Sequence, residues 1–171
     1  MSFIIAQIIG AIAIVLLIYS SAKKVGRKPL LIFNILINLL WAVHYIMLDA
    51  RSGCACSVIA AIMVFASYFK GNNKFMPSPA VPVFFSIVFV VFGLITYQNP
   101  ISIIPIVGNI LVTVAFWNDK EYTIKSIFVV VAFMWVVYGG LIGSVISVIG
   151  QSMSFFTNLS YVIRHRKRRG E

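Results

Sequence analysis

Ser57-Val58-Ile59-Ala60-Ala61-Ile62-Met63-Val64-Phe65 returns as Ser147-Val148-Ile149-Gly150-Gln151-Ser152-Met153-Ser154-Phe155. Ser, Val, Ile, Met and Phe stand at matching places, 90 residues apart from Ser57 to Ser147. A tryptophan precedes each copy, Trp41 and Trp135, and a basic stretch follows each, Lys70 to Lys74 and Arg164 to Arg169. In an apolar chain such a duplication predicts two helical bundles facing each other across a site.

Outward from that repeat, the composition names the solvent. The 171 residues are 61% hydrophobic and only 11% charged, with a mean hydropathy of +1.01. A soluble domain carries about 25% charged residues, so this chain cannot cover a water-facing surface and its partner is the lipid bilayer. The length fits a single membrane domain. The net charge of +10 is gathered in short runs between apolar segments. That pattern reads as topology rather than nucleic-acid binding, and no nucleic-acid partner is expected. Cys54 and Cys56 form a C-x-C pair without a His or acidic partner, so they read as small apolar residues and not as a metal site. The first apolar run has no basic segment before it and is expected to stay as a helix.

Seven apolar segments follow: Phe3–Ser20, Pro29–Leu48, Cys54–Phe69, Val81–Tyr97, Ile101–Trp117, Tyr122–Ile142 and Ser144–Ile163. Each approaches the ~20 residues that a bilayer core needs, and no strand alternation competes with a helix. Gly26 and Pro29, then Gly71, Pro77 and Pro79, then Asn99-Pro100 punctuate them. The sixth and seventh meet almost directly at Gly143. Lys23, Lys24, Arg27, Lys28, Lys70, Lys74, Lys120, Lys125 and the Arg164–Arg169 run all fall on one side, and only Arg51 on the other. The positive-inside rule makes the first side cytoplasmic. The N-terminus is then outside and the C-terminus inside, which an odd number of spans satisfies.

The repeat lays span three on span seven, and the tryptophans lay span two on span six. Trp41 and Trp135 are 94 residues apart, so four extra residues are expected in the loop around Asp49, Ala50 and Arg51. His44 lands opposite Tyr138. The expected fold is all-α, with a first three-helix bundle over 3–70, a linker helix over 81–97, a second bundle over 101–163, and a basic tail over 164–171. Both bundles run the same way, a 3+1+3 parallel repeat.

This plan resembles the SWEET/PQ-loop group of small transporters. A closer resemblance is to the YgjV family of bacterial inner-membrane proteins. It is carried by Asn38-Leu39-Leu40-Trp41-Ala42-Val43-His44-Tyr45, Tyr68-Phe69-Lys70 and Ile104-Pro105-Ile106-Val107-Gly108, and continues through Trp135, Tyr138, Ser144, Asn158 and Arg164. The resemblance implies an inner-membrane location and a fold, and does not imply a substrate. The chain departs from the family pattern at Ser57, Met63 and Gln151, where the family carries Asn, Arg and Glu. Each departure removes charge or polarity from a span.

No enzyme is expected. The four acidic residues, Asp49, Asp119, Glu121 and Glu171, lie in loops or at the end, and no catalytic group, cofactor motif or metal cluster can be built from them. The polar residues inside spans carry more. Asn34, Asn38, Trp41 and Tyr45 fall on one helical stripe, as do Ser147, Gln151, Ser154 and Asn158, and span five adds Asn109 and Thr113 one turn apart. Polar groups avoid lipid, so these stripes turn inward. They then either hydrogen-bond between helices or line a polar site. His44, the one ionisable residue deep in a span, is either a pH switch or a neutral hydrogen-bonded core residue. Pro105 could mark a hinge in span five. Gly139, Gly140 and Gly143 read as a close-packing face.

The expectation is a carrier or facilitator for a small, largely neutral polar solute, working by alternating access between the two bundles and binding through Asn34, Asn38, Trp41, His44, Asn109, Trp135, Gln151 and Asn158. The alternative is a non-transporting receptor or interaction protein on the same fold. A homo-oligomer is compatible with either.

Overall fold

The structure, a computed structural model, describes residues 2–22, 27–68, 80–118 and 120–170. Lys23, Lys24, Gly26, Lys70, Gly71, Lys74, Pro77, Pro79 and Asp119 of the sequence reading lie outside the described residues. Seven α-helices are present and no strand among the described residues. They are α1 (Ser2–Ala22), α2 (Arg27–Met47), α3 (Arg51–Tyr68), α4 (Ala80–Ile95), α5 (Ile103–Trp117), α6 (Glu121–Leu141) and α7 (Val145–Gly170), with a 3-10 turn Pro100–Ser102 ahead of α5. The basic segment 164–170 is the last two turns of α7, not a separate tail.

The helices pack outside-in relative to a soluble protein. Ile4, Phe84, Leu94, Ile95 and Phe156 are well exposed, Ile95 at 72%. Ser57, Asn109, Thr113, Ser147 and Asn158 are buried. In water this arrangement would be costly twice over, and in lipid it is the favoured one. Pro100–Trp117 and Tyr122–Leu141 are long and apolar enough to cross a membrane, while Phe3–Tyr19, Leu31–Met47, Arg51–Ser67 and Ala80–Ile95 are shorter apolar helices.

Two groups of three consecutive helices pack together. The first joins α1 to α2 and α2 to α3; the second joins α5 to α6 and α6 to α7. The groups touch through α3 against α5 and α1 against α7, and α4 lies across α3 and α5. At Gly93 of α4 an added Cβ would fall into the Ile106 side chain, so the two backbones approach closely there. Asp49, Arg51 and Gln98 share one end of the molecule, where Gln98 Oε1 accepts from Arg51 N at 3.1 Å. Lys125, Tyr161 and His165 share the other, hereafter the basic end.

The ends of α2 and α6 are closed by the same device. After α6, Ser144 N donates to Gly139 O at 2.8 Å and Gly143 N to Gly140 O at 3.3 Å, with Gly143 at φ +71°. After α2, Ala50 N donates to Tyr45 O at 2.9 Å and Asp49 N to Ile46 O at 3.2 Å, with Asp49 at φ +54°. Both are Schellman turns, in which a left-handed residue lets two amides return to the last carbonyls. Asp49 and Gly143 are 94 residues apart, as are Trp41 and Trp135. The two turns have equal length, which corrects the expectation of four extra residues around Asp49–Arg51. The 94-residue offset continues into the next helices, where Cys54 N bonds Ala50 O and Val148 N bonds Ser144 O. The Ser57/Ser147 likeness is therefore one helical turn out of structural register.

Candidate functional site

Between the two groups lies a cavity of about 430 Å³. From α2 it is lined by Asn34, Ile37, Asn38, Trp41 and Tyr45, and from α6 by Lys125, Phe128, Val131, Ala132 and Trp135. From α3 come Ser57, Ala60, Met63 and Val64, from α7 Gln151, Ser154 and Asn158, and from α5 Asn109, Val112 and Phe116. The helical stripe explains the selection. Asn34, Asn38, Trp41 and Tyr45 recur every three or four positions and so face one way. The 94-residue offset pairs the walls position by position: Asn34 with Phe128, Asn38 with Ala132, Trp41 with Trp135, Ser57 with Gln151, Ala60 with Ser154, Val64 with Asn158. Every member of those pairs lines the cavity. Apart from Trp41/Trp135 and the pair Ser57/Gln151, polar on both sides, the polar member is on α2 in one half and on α7 in the other, so the walls are lopsided.

Three of the amides are oriented by their own helices. Asn38 Nδ2 donates to Asn34 O, Asn109 Nδ2 to Pro105 O, and Asn158 Nδ2 to Ser154 O, each at 2.8 Å. The partner in each case is a carbonyl, which only accepts, so the nitrogen must face it. The amide oxygen is left as the group turned away from the helix. Thr113 donates to Asn109 O at 2.8 Å and lies 3.2 Å from Met63 Sδ. Among the described lining residues there is no carboxylate and one cation, Lys125, at the basic end. These residues offer amide acceptors, hydroxyls and aromatic faces.

The floor is aromatic. Tyr45 stacks on Trp41 at 5.6 Å and 22° and on Trp135 at 5.7 Å and 16°. The tyrosine fills the space between the two indoles, so the tryptophans present edges and outer faces instead of an empty slot. Tyr138 closes the stack edge-on against Tyr45 at 5.7 Å and Trp135 at 5.5 Å. All four rings are buried. The rings therefore shut the cavity at the Asp49 end, and among the described residues it extends to Lys125 at the basic end.

Of the residues read from sequence as solute ligands, Asn34, Asn38, Trp41, Asn109, Trp135, Gln151 and Asn158 line this cavity. His44 does not. It is fully buried one layer beyond the floor, with Nδ1 2.7 Å from Ala6 O and Nε2 2.7 Å from Ser144 Oγ. Ala6 O only accepts, so the proton sits on Nδ1, and Nε2 accepts from the Ser144 hydroxyl. Ser144 Oγ in turn accepts from Ser147 N at 3.2 Å, the capping bond of α7. A neutral imidazole satisfies every group in this chain. Pro105 lies in the first turn of α5, where its missing N–H breaks no helical ladder.

Sequence reading left out Tyr45, Ser57, Ser154, Lys125 and Tyr138 as site residues. Tyr45 and Ser154 were on the polar stripes, so their signal was present. Ser57 becomes visible only once it is paired with Gln151 in the 94-residue register. Cys56 is buried against Met63 and Phe89, and no group of metal-ligating side chains occurs among the described residues.

A family model described as a bacterial inner membrane protein matches residues 4–169. No curated protein and no solved structure shows a match.

Proposed function

The chain belongs to the Imp-YgjV family of bacterial inner membrane proteins, and from that premise we propose that it is a carrier or facilitator for a small, largely neutral polar solute. In this reading all seven helices cross the bilayer as a 3+1+3 parallel repeat, with α4 as the linker. Exchanging the halves turns the α3–α5 contact into the α7–α1 contact, which supports the reading, as do the matching Schellman turns. The positive-inside rule puts the end bearing Arg27, Lys125, Arg164 and Arg166 in the cytoplasm. Arg51, at the other end, is paired with Asp49 at 3.2 Å. The cavity then faces inward, and solute leaves or enters it from the cytoplasm while the aromatic floor is shut.

The observation that carries the proposal is the cavity itself. Buried amides from α5 and α7 and half-buried ones from α2 converge on one space between the bundles, when polar groups serving only to join helices would be consumed by partners on neighbouring helices. Polarity without carboxylates favours a neutral solute and gives no ion a binding site, so downhill movement is the mode proposed. The stacked floor favours a second reading, a receptor that binds from the cytoplasm and never opens outward.

Uptake by purified protein in liposomes, against a broad panel of neutral polar solutes, tests the proposal. Saturable uptake of at least one compound is expected, with a loss of about tenfold in Trp41→Ala and Trp135→Ala as aromatic contact is removed. Saturable binding without any uptake would move the protein to the receptor reading, and neither would overturn both.

A further inference from the structure

Beyond the aromatic floor lies a second cavity, of about 270 Å³, at the end opposite the basic one. It is a polar vestibule, lined by Asp49, Ser52, Gln98, Asn99 and Ser102, and Tyr138 forms part of its wall. The same Tyr138 ring packs edge-on against Tyr45 and Trp135, which line the main cavity. One layer of rings is all that separates the two spaces.

That layer is held by side chains that cross between the bundles. Tyr138, on α6, brings its hydroxyl against Gly53 in the first turn of α3, and shares the vestibule wall with Ser52. The Gly53 amide is one of those that a helix N-terminus leaves without an internal partner. His44, on α2, reaches the start of α7 through Nε2 and Ser144 Oγ, at 2.7 Å. His44 and Tyr138 are themselves 94 residues apart. Each bundle thus sends a ring from its second helix to the N-terminus of the other bundle's third helix. A glycine makes room for each ring. A Cβ at Gly53 would lie 2.6 Å from the Tyr138 hydroxyl, and one at Gly10 would lie 3.0 Å from His44 Nδ1. Tyr45 adds a longer contact to Ser147 Oγ, 3.4 Å, and Gln7 Oε1 accepts from Ile146 N at 3.1 Å. No ion pair joins the bundles here among the described residues, since the Asp49–Arg51 pair lies within one turn.

We infer that the solute route runs from the main cavity through this ring layer into the vestibule, and that the crossed contacts His44–Ser144 and Tyr138–Ser52/Gly53 are its outer gate. The inference rests on the carrier reading and adds to it the residues that control the outer opening. The vestibule gives a polar solute somewhere to go, which a wall of bulky apolar residues would not. The gate is made of one hydrogen bond, His44 to Ser144, and one close polar contact, Tyr138 against Gly53, both at helix ends, and both can part without separating charges. Gln7 Nε2, beside the α1–α7 contact, is buried without a partner, so the shut arrangement leaves one polar group unsatisfied.

Thiol accessibility reads the gate without knowledge of the solute. In a Cys54→Ala, Cys56→Ala background, Asn38→Cys places one thiol in the main cavity. A membrane-impermeant maleimide is then added to either face of oriented vesicles. With native locks, reaction is expected from the cytoplasmic face and slow reaction from the outer one. Tyr138→Phe, which keeps the ring and deletes the hydroxyl at the start of α3, is expected to raise the outer rate about tenfold, the upper size of one net polar contact. Gly53→Ala, which displaces the same hydroxyl, and His44→Phe should act in the same direction, and the double variant His44→Phe, Tyr138→Phe should exceed either. Cytoplasmic-face reaction at the native rate certifies each variant as folded, and Ser52→Ala replaces any that fails. Outer rates within about twofold of native in all folded variants, or fast outer reaction with the locks intact, would overturn the gate. Raised outer access in a protein that moves no solute would leave the gate standing and remove the carrier reading.

Discussion

Asn38, Asn109 and Asn158 each tie their nitrogen to a carbonyl four residues back, and this fixes what they offer the cavity. Such a bond within one helix contributes little to holding helices together. Asn38→Ala and Asn158→Ala are therefore expected to change unfolding free energy in detergent by about 0.6 kcal/mol or less, the average for a polar contact between membrane helices. The same variants are expected to weaken solute binding or uptake several-fold. Intact ligand interaction in both would show that the amides are not ligands. The stripes that hold these residues were legible in sequence because helical periodicity alone aligns them. The place of His44 was not. Its partners, Ala6 and Ser144, lie 38 and 100 residues away, and no local pattern announces which of two bundles a buried ring will reach.

At the scale of elements, the two Schellman turns set the frame. Gly143 sits at φ +71° and Asp49 at φ +54°, a region that disfavours a Cβ by roughly 1–2 kcal/mol. Gly143→Ala is expected to destabilise the protein by about 1 kcal/mol and Asp49→Gly to stabilise it by a similar or smaller amount, both read from unfolding midpoints. Equal losses from both substitutions would contradict the assignment. Gly93 offers a separate test, since its Cβ would enter the Ile106 side chain. Gly93→Ala is expected to cost ~1–3 kcal/mol by overpacking, with partial recovery in the double variant Gly93→Ala, Ile106→Val. These turns also explain why the repeat was misregistered from letters. A slip of four residues is close to one turn, so it moves a side chain about 6 Å along the axis and only ~40° around it. Apolar letters on the same face then match nearly as well in the wrong register. Only the backbone bonds after α2 and α6, equal in length and pattern, separate an offset of 94 from one of 90.

For the whole molecule, the two ends differ in kind. The main cavity reaches Lys125 towards the basic end, while the other end is shut by three stacked rings, the edge-on ring of Tyr138 and the crossed contacts of His44 and Tyr138. The seven helices could be read from sequence, because hydropathy reports them directly. Which end stands open could not, because closure is a matter of packing between bundles far apart in the chain. The proposed carrier role requires the bundles to rock about the cavity, so that widening one end narrows the other. Spin-label distances test it most directly, with one pair at Arg51 and Leu141 near the shut end and another at Ile32 and Ile163 towards the basic end, all on exposed positions. On Gly53→Ala, the first distance is expected to lengthen while the second shortens. Distances that stay fixed in both pairs, or move in the same sense, would contradict it.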